Sequence, residues 1–329
     1  MNRLHQIYQY IFDCVREALD VSFQLFKIMV PLLLLTKILE ELGAIEIIAD
    51  ALSSCMGFVG LPGEMGIVWA TALVVGTYGS LMIFLTLIPT TTLTIAQTTV
   101  IMLLTLIAHS FPVEIMIARK AGMRIWFQLL LRIGSALIFG RLLNIIYLST
   151  KWLQSPSRIT MTLSSTDLSL KAWAFEQIQS LFMIFVIILA LIIFMRLIDR
   201  LGITTLLIKL LNPILKWIGI SDQAIPVTVV GMVLGLSYGG GLIINEANSG
   251  KIAPRDMFFA LSFMCILHSV IEDTITMLFF GADISGLLFG RLIFSFAVIF
   301  ILVQIVNRLS ENNFEKYLFK INNRSSSIS

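Results

Sequence analysis

Apolar residues in this chain run in long blocks, with polar positions gathered at their ends. Leu181 to Met195 carries no polar side chain at all, and several other blocks approach the roughly 20 residues that a helix needs to cross a bilayer. A membrane barrel would alternate apolar and polar residues in segments of about ten, and that period is absent. The pattern predicts membrane-spanning helices at about 22–42, 93–118, 124–148, 178–199, 255–280 and 286–308. Amphipathic stretches are expected at about 44–58 and 203–217.

The blocks repeat. Shifting the sequence by 159 positions lays Phe23, Phe26 and Ile28 on Phe182, Phe185 and Ile187, and Leu42-Gly43 on Leu201-Gly202. Gly60 falls on Gly219, Gly76 on Gly235, His109-Ser110 on His268-Ser269, Gly122 on Gly281 and Arg132 on Arg291. Apolar matches are cheap in such a chain; a shared His-Ser, several glycines and an intramembrane arginine are not. Self-similarity of this kind predicts two homologous halves: repeats at 22–149 and 177–308, a polar linker at 150–176, an N-terminal segment at 1–21 and a C-terminal tail at 309–329.

Each half carries an apolar segment broken by glycine: Gly76-Thr77-Tyr78-Gly79 in the first, and Gly235 to Gly241, including Tyr238, Gly239 and Gly240, in the second. Each glycine costs a helix about 1 kcal/mol relative to alanine, so these segments read as re-entrant hairpins with the glycines at the tips. Basic residues support that choice. With hairpins that return to their own side, each half crosses three times and the second half is inverted; lysine and arginine then divide 16 to 5, against 13 to 8 if the hairpin segment crosses. The steeper bias is the one that the positive-inside rule selects. The expected fold is an all-α polytopic membrane protein of two inverted-topology repeats, each with three transmembrane helices and a re-entrant hairpin. It is expected in the cytoplasmic (inner) membrane with both termini cytoplasmic. Inverted repeats with broken helices are the architecture of secondary transporters, whose sites lie near the midplane.

Composition agrees: 57% of the 329 residues are apolar, 13% are charged, and the mean hydropathy is +0.93. A soluble domain carries about 25% charged residues, so this chain lacks the polar material to cover a water-facing surface. The net charge of +3 sits mostly at membrane edges and speaks to orientation, with no nucleic-acid partner implied. Cys14, Cys55 and Cys265 form no CxxC pair, and the charged N-terminus gives no signal peptide. No P-loop, HExxH or GxSxG motif is present, so neither ATP-driven transport nor an enzyme is expected.

The candidate chemistry lies in the stretch Cys265-Ile266-Leu267-His268-Ser269-Val270-Ile271-Glu272-Asp273 and its counterpart His109-Ser110-Phe111-Pro112-Val113-Glu114. On one continuous helix Cys265, His268 and Glu272 share a face, a candidate metal set of borderline ligands. Ionisable groups inside a span face a cavity, pair with each other or mark a pathway; the same cluster read structurally ties helices together. Pro112 is expected to kink its span and free carbonyls. Asn245, Glu246 and Asn248 on the second hairpin are candidate ligands for a polar solute or cation, or a wetted turn. Arg132 and Arg291 either neutralise Glu114, Glu272 and Asp273 or bind an anion.

These residues resemble the nucleoside-recognition or gate domain family of membrane proteins. That family includes spore maturation membrane proteins and gate segments of concentrative nucleoside transporters and ferrous iron transporters. The resemblance covers roughly residues 20 to 308, and the HSxxED-like motif is its most specific part. It implies a transport-type core of hairpins and broken helices without naming a substrate. The expected function is permeation of a small polar solute, a nucleoside-like molecule or a cation by alternating access, with Na⁺ or H⁺ as candidate coupling ion. The alternatives are a divalent Fe, Mn or Zn permease and a structural membrane partner. The lipid bilayer is the expected partner, and a homo-oligomer is a candidate state.

Overall fold

The computed structural model describes residues 44 to 320 apart from residue 90 and residues 158 to 169, together with scattered positions between 9 and 42. The described regular structure is helical: α1 (Ala44–Phe58), α2 (Met65–Val74), α3 (Thr77–Leu87), α4 (Ile95–Ile107), α5 (Phe111–Lys120), α6 (Ile125–Thr150), α7 (Leu170–Arg200), α8 (Ile203–Ile218), α9 (Ile225–Asn248), α10 (Pro254–Ile266), α11 (Glu272–Phe279), α12 (Arg291–Val306) and α13 (Glu311–Tyr317). A six-residue π-helical turn, Ser285–Gly290, leads into α12.

The surface is inverted relative to that of a soluble bundle. On α6, Leu130, Ile138 and Ile145 are exposed while Gln128, Arg132 and Ser135 are buried; on α12, Ile293, Ile301 and Ile305 face out while Arg291 and Ser295 are buried. Apolar area on this scale is tolerated outside water only. The chain is a multi-pass helical membrane protein. Among the described residues, Ile125–Thr150, Gln177–Phe194 and Ser285–Val306 are long and apolar enough to cross a membrane, and Ile95–Ile107 with Phe111–Lys120 forms a fourth span bent by 41°.

Two expected spans depart from single helices. The one at 93–118 divides into α4 and α5, and the one at 255–280 into α10 and α11. Pro112 occupies the first turn of α5, where its missing N–H costs nothing. Ser110 and Ser269 take left-handed backbone, with φ of +50° and +47°. The expected helix at 22–42 falls largely outside the described residues. α7 begins at Leu170, inside the stretch read as linker. Residues toward both ends of the chain make contacts as well. Ala18 packs with Met82, Ile184 and Ile188. In α13, Phe314 is buried, and Lys320 N donates to Gly122 O at 2.6 Å.

At the first glycine break α2 and α3 pack against each other, with Gly76 at φ 113°, ψ −174° between them. Gly235 breaks α9 at φ 83°, ψ 166°. Both conformations lie in a region open essentially to glycine alone. A β-carbon on Gly76 would stand 2.5 Å from Ser110 Oγ, and one on Gly235 would meet Ser269 Oγ more closely still. The broken spans are tied to these segments through the backbone: Ser110 N donates to Ala72 O, and Val270 N to Met232 O, each at 2.9 Å. One backbone N–H at each break is thereby satisfied inside the protein, as irregular backbone at membrane depth requires.

The N-terminal and C-terminal halves of the chain touch in two further places. Near Gly122 the first half meets the C-terminal end of the second, where Arg124 N donates to Leu318 O at 2.9 Å and Arg124 Nη2 to Glu315 O at 2.8 Å. Beyond Gly281 the second half meets the other end of the first: Asp283 N donates to Thr99 Oγ1 at 2.9 Å, and the Tyr147 and Ser285 hydroxyls lie 3.0 Å apart.

Candidate functional site

The breaks of the two bent spans meet. His109 follows α4 and His268 follows α10, and their Nε2 atoms lie 3.3 Å apart with ring centroids separated by 4.9 Å. Each ring is held the same way: His109 Nδ1 lies 2.8 Å from Thr105 O and His268 Nδ1 lies 2.8 Å from Met264 O. A carbonyl oxygen only accepts, so each Nδ1 carries a hydrogen and a neutral ring turns an Nε2 lone pair toward the other.

Glu114, from the first turn of α5, joins them. Its Oε1 is 3.4 Å from His109 Nε2 and 3.4 Å from His268 Nε2, while its Oε2 is 2.6 Å from Arg132 Nη1. The three side chains are buried. Asp273 stands at the position 159 residues after Glu114. It is buried too, and its carboxylate shares with His109 and His268 a group whose ligand atoms all lie within 4.8 Å of one another.

The two arginines act chiefly on backbone. Arg132 Nε donates to Ile107 O at 2.9 Å and Nη2 to His109 O at 3.0 Å. Arg291 Nε donates to Ile266 O at 3.0 Å, and its Nη2 to His268 O at 3.0 Å and to Leu106 O at 3.2 Å. Both cations thus cap the carbonyls left open at the ends of α4 and α10, where the helix dipole favours positive charge. Arg132 also pairs with Glu114; Arg291 has no carboxylate at salt-bridge distance among the described residues.

The expected face of Cys265, His268 and Glu272 does not form. Those spacings presuppose one continuous helix, whereas Cys265 lies in α10, His268 in the break and Glu272 at the start of α11. His109, His268 and Asp273 stand close enough to share an ion. Cys265 is fully buried. Glu272 instead accepts from Tyr78 Oη at 3.3 Å, a bond between the halves. Ser110 and Ser269 lie against Gly76 and Gly235. Gly79 is buried in α3; Gly239, Gly240 and Gly241 continue α9, and the Tyr238 side chain lies outside the described residues. Asn245 and Asn248 are exposed and Glu246 is half-buried near the C-terminal end of α9; about 15 Å of helix separates Asn245 from Gly235.

Sequence reasoning missed Gln128, which is buried and donates from Nε2 to Glu114 O at 3.3 Å. It also missed the equivalence of Glu114 and Asp273, although the 159-residue shift contains it.

The chain is similar to an uncharacterized membrane protein, YvoD, of Bacillus subtilis. The two are 26% identical over 275 residues, which cover 83% of this chain and 87% of that protein. No family model matches the chain. No solved structure matches it.

Proposed function

We propose that this protein is a permease of the cytoplasmic membrane that moves a small polar solute or cation by alternating access between two inverted repeats. The observation that carries the reading is the meeting of two broken spans, one from each half, at the buried His109–Glu114–His268 cluster. Ionisable side chains and non-helical backbone at membrane depth both belong to solute and ion pathways. Inversion of the second half is supported by the pairing of opposite ends: residues near Gly122 contact the chain beyond Val306, whereas residues beyond Gly281 contact Thr99 and Tyr147. Matching glycine conformations, ring anchors and arginine caps at a spacing of 159 support the repeat itself. The resemblance to gate-domain proteins supports the same reading, and the positive-inside bias supports cytoplasmic termini.

The test is uptake by proteoliposomes of the full-length chain, offered nucleosides, Na⁺, H⁺ or divalent metals in turn. One class is expected to enter, with flux lost in His268→Ala while the variant remains monodisperse and melts cooperatively. Absence of flux for every class in the folded wild type would overturn the reading and favour a structural partner role.

A further inference from the structure

His109 Nε2, His268 Nε2 and Glu114 Oε1 form a nearly equilateral triangle with edges of 3.3, 3.4 and 3.4 Å. With each Nδ1–H given to a carbonyl, all three atoms are acceptors, and lone pairs crowd together unless a proton or a cation lies between them. The dimensions favour a particular cation. A tetrahedral ion with bonds of about 2.0–2.1 Å holds its ligand atoms about 3.3–3.4 Å apart. An octahedral ion with the same bonds brings neighbouring ligands to about 2.9 Å, and hard cations such as Na⁺, Mg²⁺ and Ca²⁺ take oxygen in preference to imidazole.

We propose that His109, His268 and Glu114 bind a divalent first-row transition metal of the zinc type, with Asp273 as the fourth ligand, and that this ion is the solute carried. The proposal rests on the permease reading for its second half only. Asp273 stands within 4.8 Å of both histidine ligand atoms, retains slight exposure, and comes from the other half of the chain than Glu114. Each half therefore gives one imidazole and one carboxylate, so a motion of one half against the other divides the ligand set between them.

The surrounding bonds are those of a metal centre. Ligating histidines ordinarily give the other ring N–H to a carbonyl or carboxylate, which fixes tautomer and orientation; both rings do so here. Arg132 occupies Glu114 Oε2 and leaves Oε1 turned to the rings. The neighbouring positive charge does not forbid an ion, because neutral imidazoles alone bind Zn²⁺ in three-histidine sites and Glu114 already balances Arg132.

The experiment uses full-length protein in detergent, stripped with chelator and titrated with Co²⁺. One Co²⁺ per chain is expected, with the intense visible absorption of tetrahedral coordination, displaced stoichiometrically by Zn²⁺. His268→Ala and Asp273→Asn should each weaken binding at least tenfold, while Glu64→Gln, at a carboxylate that accepts from Thr91, should leave it unchanged. X-ray absorption of the Zn²⁺-loaded wild type needs no variant to fold: it should show two imidazoles and no sulfur. Failure of the wild type to retain Co²⁺ or Zn²⁺, a sulfur shell, or undiminished affinity in both folded variants would each overturn the site. Flux of another solute without metal binding would overturn the metal and leave the permease. Tight binding of Zn²⁺ in a folded protein that carries nothing across vesicles would overturn the permease and leave the site.

Discussion

His109 and His268, 159 residues apart in the chain, face each other through Nε2 at 3.3 Å across the junction of the two halves. Neither ring is placed by its own helix alone, since each stands in a break that its helix leaves open. The anchors are a carbonyl one turn back on Nδ1 and an arginine from a later helix on the histidine's own carbonyl. Disturbing either anchor therefore moves the pair.

Arg132 is the most consequential of these anchors. It binds Ile107 O, His109 O and the Glu114 carboxylate while wholly buried. Removing one partner of a buried ion pair costs about 3–5 kcal/mol, so Arg132→Leu should strongly lower the melting temperature. Lysine cannot span three acceptors in that geometry, and Arg132→Lys should recover less than half of the loss. Full recovery by lysine in a thermal melt would mean that charge alone is required.

Gly76 and Gly235 should reject alanine. The backbone conformation alone costs a non-glycine residue about 1–3 kcal/mol, and a β-carbon would also strike the Ser110 or Ser269 hydroxyl. Gly134→Ala in α6 has open space around the new methyl group and should be neutral or stabilising by up to about 1 kcal/mol. Equal melting temperatures for all three variants would contradict the assignment of the breaks.

Tyr78→Phe removes a hydroxyl that binds Glu272 from the opposite half. A single hydrogen bond of this kind is worth about 1 kcal/mol, so the effect on stability should be small. In a double-mutant cycle with Glu272→Gln, a coupling indistinguishable from zero would mean that the bond does not form.

Protons compete with a metal for the same two Nε2 atoms. The groups facing the rings are Glu114 from α5, Asp273 from α11, Arg132 from α6 and Arg291 from α12. Co²⁺ affinity should therefore fall as the pH is lowered. The sign is fixed, since only the unprotonated nitrogen binds; an affinity that rose as the pH fell would exclude histidine ligation.

Cysteines placed one at a time at Lys251, Lys316 and Lys151, all exposed, test orientation. In a chain with Cys55 replaced by serine, an impermeant maleimide applied outside intact cells should label the Lys151 position and spare the other two. Labelling of Lys251 and Lys151 from the same side would refute the inverted arrangement.

The sequence by itself determined the medium of this protein and pointed to a 159-residue self-similarity. Uninterrupted apolar blocks such as Leu181 to Met195 demand lipid, because no aqueous surface can be built from them. The 159-residue shift marked histidines, arginines and glycines that share backbone conformation or hydrogen bonds in the structure. Only the tertiary structure decided which ligands converge. The motif around His268 reads as one helical face carrying Cys265 and Glu272 if the helix is continuous. The left-handed backbone at Ser269 ends that face, sends Glu272 to Tyr78 and brings His109 and Glu114 in from the other half. Helical spacing is a local property that a sequence records, whereas a site made across two breaks depends on how the halves dock.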